Sequence, residues 1–281
     1  DGNSSYAAHG LGICLKSLGR TDEAIAPLER AVALEPKSTS ALENLIACHE
    51  QLGRGEDATR LAREGLDRFP DHVPFMRSLY NQLERAERHD EAKTLAERAA
   101  ALARDDYAPQ VALGHVYFKL GQHAEAVEAF KEALRLAPGN SSALGPLVNA
   151  LEETGRADQV PDLLEEQAQF PFDTVSGSYL GEKLYRYGCF ESAIRVLSQV
   201  TLMVPQLVDP HVCLARAYRA LGRHDEAQPV LDAVVGHALD SIKRLEDMLP
   251  ELKALDERPN QPNLKLADSV EIYTYENAME A

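Results

Sequence analysis

Three histidines, His89, His123 and His224, are the side chains best suited by type to proton transfer or metal ligation. Each closes the same short segment, ERH, GQH or GRH, two residues after a recurring turn position. They are therefore copies of one position at a helix-helix turn and not a converging set. His49 is followed by Glu50, but no second histidine lies four residues from the first, so the paired-histidine zinc motif is not formed. Cys14, Cys48, Cys189 and Cys213 lie too far apart for a metal knuckle or a redox pair. Cys14 and Cys48 share a repeat position, which points to packing and not to reactivity. No phosphate-cradling glycine loop and no nucleophile elbow occurs. The expectation is a protein without catalytic residues, metal or cofactor, and hence not an enzyme.

The chemistry that remains is ionic. Lys and Arg number 29 and Asp and Glu 45, a net charge of −16. Such a chain is repelled by phosphate backbones and anionic lipid heads, which argues against nucleic acid and membrane surfaces as partners. No run of about 18 apolar residues is present to span a bilayer. Unpaired cysteines in a long chain suggest a reducing compartment, and cytoplasmic is the default expectation. The chain opens with Asp1 and not Met, so a fragment that has lost a targeting segment stays open.

These residues are positioned by a repeat. Residues 19–36 read GRTDEAIAPLERAVALEP, 121–138 GQHAEAVEAFKEALRLAP, 188–205 GCFESAIRVLSQVTLMVP and 222–239 GRHDEAQPVLDAVVGHAL. Turn glycines recur at Gly19, Gly53, Gly121, Gly155, Gly188 and Gly222, with Glu87 in the third copy. The steps are 34 residues, with one of 33 before Gly188. Ala24, Ala58, Ala92, Ala126, Val160, Ala193 and Ala227 keep the same phase, as do Pro36, Pro70, Pro138, Pro171 and Pro205. The glycine should end a first helix in the left-handed conformation. Asp22, Asp90, Asp158 and Asp225 should cap a second helix, and the proline should stop it. The alanine marks close approach of the two helices, and small residues Gly12, Gly114, Gly181 and Ala215 are expected to face it. Leu28, Phe130, Leu164, Leu197 and Leu231 are expected to fill the space between hairpins. Ile46 and Tyr80 depart from the small-residue rule. Gly145-Pro146 should delay or kink its helix, and 169–178, QFPFDTVSGS, should form an irregular joint after the fifth copy.

This pattern resembles the tetratricopeptide repeat (TPR). The resemblance covers residues 5–241 as seven hairpins: 5–38, 39–72, 73–106, 107–140, 141–173, 174–207 and 208–241. It implies an all-α fold, a right-handed α-α superhelix. Ile242, Leu245, Leu249, Leu252 and Leu255 give residues 242–256 the pattern of a C-terminal capping helix. Residues 257–281 read as linker and tail, with the strand-like VEIYTYEN at 270–277. That tail is either the start of a following domain or a segment that docks on the solenoid, its own or a neighbour's.

In the TPR family the first helices of successive repeats line a concave groove that binds peptides. Projected onto this chain, the groove positions are Lys16, Glu43, Asn44, Arg77, Asn81, Arg85, His115, Lys119, Asn149, Tyr179, Glu182, Arg186, Arg216 and Arg219. Asn44, Asn81 and Asn149 can bind a peptide backbone as donor and acceptor together. The arginines favour a carboxylate-bearing ligand. Some relatives clamp the free carboxylate of chaperone tails. Arg77 and Asn81 match the first pair of that clamp, but Ala112, Ser142 and Pro146 replace the rest. The resemblance thus implies an interaction scaffold for an extended, acidic protein or peptide segment. The alternative is the regulatory or substrate-recruiting arm of a larger enzyme of glycosyltransferase or methyltransferase type.

Overall fold

The computed structural model describes residues 4–233 and 235–236, so the expected capping helix and tail lie outside the described residues. The elements are α1 (Ser5–Ser17), α2 (Thr21–Leu34), α3 (Thr39–Gln51), α4 (Gly55–Arg68), α5 (Val73–Arg85), α6 (His89–Leu102) and α7 (Tyr107–Lys119). They continue with α8 (His123–Leu136), α9 (Ser141–Glu153), a 3-10 turn (Ala157–Gln159), α10 (Val160–Gln167), α11 (Thr174–Arg186), α12 (Phe190–Met203) and α13 (Val208–Ala220). A further helix, α14, is described over 224–233. No strand occurs among the described residues. The chain divides into two compact units between Ala157 and Asp158, and within each unit successive helices stack as antiparallel hairpins.

The repeat sets every helix start. First helices begin at Ser5, Thr39, Val73, Tyr107, Ser141, Thr174 and Val208, which keeps the 34-residue step and its single exception of 33. Gly19 and Gly121 sit at φ 75° and 72°, the left-handed conformation that ends each first helix. Glu87 takes φ 56° in the same slot, with Arg88 N–H bonded to Leu83 O at 2.9 Å as in a Schellman closure. A side chain in that region costs about 1–2 kcal/mol. Glu87→Gly should therefore raise stability by about 1 kcal/mol, since glycine's extra unfolded-state freedom offsets part of the relief. Chemical denaturation checks this, and a variant less stable than the parent would refute it.

The marker alanines lie in the core. Ala24, Ala58, Ala92, Ala126 and Ala193 are completely buried, as is Val160. The atoms nearest the small residues of the first helices belong to other side chains. A Cβ added at Gly12 would fall 2.5 Å from Leu28, one at Gly114 2.6 Å from Phe130, and one at Gly181 2.5 Å from Leu197. Each glycine thus seats the large side chain sixteen residues on, within its own hairpin. The departures follow the same rule inverted. Ile46 is matched sixteen residues on by Ala62, and Tyr80 by Ala96. Ile46, Ala62 and Ala96 are all buried. In these repeats a large residue on one helix is matched by a small one on the other, as close packing favours, whereas the fifth repeat pairs Val148 with Leu164, both completely buried.

Three other expectations are corrected. Asp22 and Asp90 are not N-caps; Arg20 and Arg88 hold that place, and neither side chain makes a capping bond. The left-handed turn returns the chain to helix two residues sooner than the sequence rule assumes. The aspartates fall in the first turn, where they act on the helix dipole. Asp158 lies in the 3-10 turn, and Asp225 is the second residue of α14. Pro146 does not delay its helix, which starts on phase at Ser141 and runs to Glu153. Proline removes one N–H near the first turns, while Ala143, Leu144, Leu147 and Val148 bury the face around it. Finally, 174–178 is not loop. Asp173 accepts from Ser176 N–H at 2.7 Å and caps α11, so only 168–173 is irregular. The preceding α10 has eight residues where α2 has fourteen.

Candidate ligand cleft on the first helices

First helices of neighbouring repeats lie side by side, α1 with α3, α3 with α5, α7 with α9 and α11 with α13. Hydrogen bonds fix some of these pairs. Lys16 Nζ donates to Asn44 Oδ1 at 2.7 Å, joining α1 to α3. Asn44 Nδ2 in turn donates to Ser40 O at 2.9 Å and lies 3.2 Å from His9 Nε2. Its amide is thus engaged at both ends, and a ligand would have to displace these partners. Glu43 meets His72 at 2.8 Å.

On α5, Arg77 and Asn81 are exposed. Arg77 borders a crevice of about 30 Å³ with Tyr80 and Ala112. The Tyr80 hydroxyl donates to Ala112 O at 3.2 Å, and burial pushes its phenol well above the ordinary tyrosine range. Tyr80 thereby occupies the ground beside Ala112, the position where the chaperone-tail clamp would need an asparagine. Arg85 diverges from Arg77 and Asn81. It lines a cleft of about 720 Å³ with Gly55, Thr59 and Arg63 of α4.

His115 stands edge-on to Phe130 at 5.3 Å between ring centroids. Desolvation by these neighbours lowers its pKa below the usual imidazole value, with Glu84 opposing and Lys119 adding to the effect. His115 is therefore a neutral hydrogen-bonding group at neutral pH, although its edge stays open to solvent. Lys119 and Asn149 are exposed, and Asn149 belongs to the first unit.

In the second unit the sequence-projected residues converge. Tyr179, Glu182 and Arg186 of α11 and Arg216 of α13 line one cleft of about 580 Å³. The spacing of three and four residues along α11 puts its three contributors on one helix face. Arg186 is held by Glu182 at 2.6 Å, and Lys183 Nζ lies 5.6 Å from the centre of the Tyr179 ring. Among the described residues no carboxylate pairs with Arg216, nor with Arg219 one turn on at the end of α13. The cleft also contains Tyr185, Asp209, Pro210, Val212 and Cys213, which the projection missed. Asp209 and Cys213 precede Arg216 by seven and three residues, so the helical period of α13 alone could have found them. Burial pushes the Cys213 thiol up to about 11, with Glu182 reinforcing and Arg216 and Arg186 opposing. A thiol so protonated at neutral pH is an apolar wall, not a nucleophile. Two guanidiniums, two carboxylates and two phenols thus surround an aliphatic floor, suited to reversible binding of a polar chain.

Among the described residues no group of three or more His, Cys, Asp or Glu side chains could hold a metal ion, and no helix is long and apolar enough to cross a membrane.

A family model described as tetratricopeptide repeat matches residues 15–171, and another of the same description matches 209–233. The peroxisomal targeting signal receptor of Yarrowia lipolytica is 26% identical over 250 residues, covering 82% of this chain. The match spans only 41% of that protein's length. Among solved structures, MamA is similar with a TM-score of 0.54 at 20% identity, over 60% of this chain and 92% of that one. The pilF protein of Pseudomonas aeruginosa gives a TM-score of 0.53 at 21% identity, over 77% of this chain and all of that one. At these identities the likeness is one of fold.

Proposed function

The chain belongs to the tetratricopeptide-repeat family, and from that premise we propose that it is a protein-interaction scaffold whose cleft between α11 and α13 holds an extended acidic peptide. The observation that carries this is Arg216, exposed on the cleft wall without a carboxylate partner among the described residues, in a chain of net charge −16. Arg219 extends the same charge along α13, while Glu182 keeps Arg186 in place beside them. A peptide carboxylate meets Arg216 in bidentate geometry, and its aliphatic or aromatic side chains lie on Tyr179, Pro210 and Val212. The Yarrowia relative is named a receptor for a targeting signal, which supports recognition of a peptide segment over catalysis.

The test is fluorescence anisotropy with a labelled, extended Glu-rich peptide and its Lys-rich counterpart as probes. The acidic probe should bind and the basic one should not. Arg216→Glu with Arg219→Glu should weaken binding by about tenfold, because partly solvated pairs contribute about 0.2–1 kcal/mol each and reversal adds repulsion. The same change should flatten the salt dependence. Equal affinity of parent and variant would place the ligand elsewhere.

A further inference from the structure

The α13 wall of the cleft carries two uncompensated charges of opposite sign. Asp209 and Arg216 both line the cleft. They stand seven residues apart on one helix, so they leave the same face about 10 Å apart along its axis. Both are exposed, and neither joins an ion pair among the described residues. Glu182 and Arg186 face them from α11 but balance each other at 2.6 Å. The α13 wall is therefore negative at the start of the helix and positive two turns on. Asp209 lies in the first turn, where the helix dipole also favours a carboxylate.

Between the two charges the wall is apolar. Pro210 is buried, and Val212 and Cys213 are half-buried. Tyr179 and Tyr185 line the cleft from α11, both half-buried. The Tyr185 ring is backed by Phe190 at 5.7 Å between centroids. A trough lined by aromatic rings suits a polyproline II segment, whose backbone makes no internal hydrogen bonds and is ordered before it binds. Such a segment turns once in three residues and about 9 Å, so its side chains at i and i+3 match the separation of Asp209 and Arg216. A flat strand matches it less well, because residues on one face of a strand lie about 7 or 13 Å apart.

We propose that the peptide held here contains a polyproline II turn with a Lys or Arg three residues from a Glu or Asp, the cation on Asp209 and the carboxylate on Arg216. This rests on the acidic-peptide reading of the same cleft and adds a selection among acidic peptides. Arg216 supplies the attraction, and Asp209 rejects a second carboxylate at the register where it accepts a cation.

The test is fluorescence anisotropy of the 281-residue chain with labelled proline-rich peptides of one length that share a central Glu. Lys stands three residues before the Glu, three residues after it or directly beside it, and a control has Gln in place of Lys. One of the two three-residue orders should bind about two- to fivefold tighter than the control, and the adjacent Lys should give no such gain. Asp209→Asn should abolish the gain, and Asp209→Lys should turn it into a loss. Each comparison sets two peptides against the same protein, so any effect of Asp209 on the stability of α13 cancels. Arg216→Glu should weaken every probe, because all share the Glu. Probes that depend on Arg216 but ignore Lys, or a gain that survives Asp209→Asn, would overturn this inference and leave the acidic-peptide reading standing. Probes that bind the parent no tighter than they bind Arg216→Glu would overturn both.

Discussion

Phe130→Ala should cost about 3–5 kcal/mol, the usual loss on truncating a fully buried phenylalanine. Gly114→Tyr placed on top of it should recover most of that loss. The reason lies in the hairpin rule. Phe130 fills the space that Gly114 leaves open, with 2.6 Å between its ring and a Cβ built on the glycine. The third repeat has the reverse arrangement, with the large Tyr80 on the first helix and the small Ala96 on the second. The double variant copies that arrangement into the fourth repeat. Gly114→Tyr alone should be as damaging as Phe130→Ala, because both rings then compete for one site. The chain contains no Trp, so urea unfolding followed by circular dichroism is the appropriate readout. If the double variant is no more stable than Phe130→Ala, volume exchange across the hairpin is not what relates these repeats.

Gly177→Leu should destabilise the start of α11 by about 1–3 kcal/mol and open the segment 168–173 to proteases. A Cβ at Gly177 would stand 2.5 Å from Phe172 and 2.7 Å from Val200. The phenylalanine folds back over the glycine and closes the short irregular segment onto α11 and α12. A leucine would expel it. Adding Phe172→Ala should restore part of the melting temperature by vacating the contested space, without restoring protection of 168–173. Thermal melts with timed proteolysis and mass spectrometry read both effects. A single variant with the parent's melting temperature and cleavage pattern would show that Phe172 does not close this segment.

Part of the binding surface is legible in the sequence. Carrying one helix phase from repeat to repeat reaches Tyr179, Glu182, Arg186 and Arg216, and these four do line a common cleft. The same route reaches Asn44, but its amide is engaged by Lys16 and Ser40. Arg85 ends in a different cleft beside α4. Phase fixes the face from which a side chain leaves its helix. It does not fix which neighbours satisfy a long or polar side chain once it has left, because that depends on groups about thirty residues away in sequence that helix packing brings within hydrogen-bond reach.

The sequence by itself determined the period, the all-helical class and the buried face. A 34-residue step with a turn glycine and a phased alanine admits little else, since backbone conformation at the turn and close approach at the alanine are local demands. Only the tertiary structure decided which side chains share a volume. Gly12, Gly114 and Gly181 are matched to Leu28, Phe130 and Leu197, and Ile46 and Tyr80, departures by sequence alone, are the same rule with its two halves exchanged. Large is matched to small in these repeats by pairs of residues sixteen positions apart, and no single position in the repeat records it. The exposure of Leu11 on α1 has the same origin. Leu11 is identical in type and phase to leucines that are buried or half-buried in every other repeat, and burial is a property of what lies against a residue, which its own sequence slot does not contain.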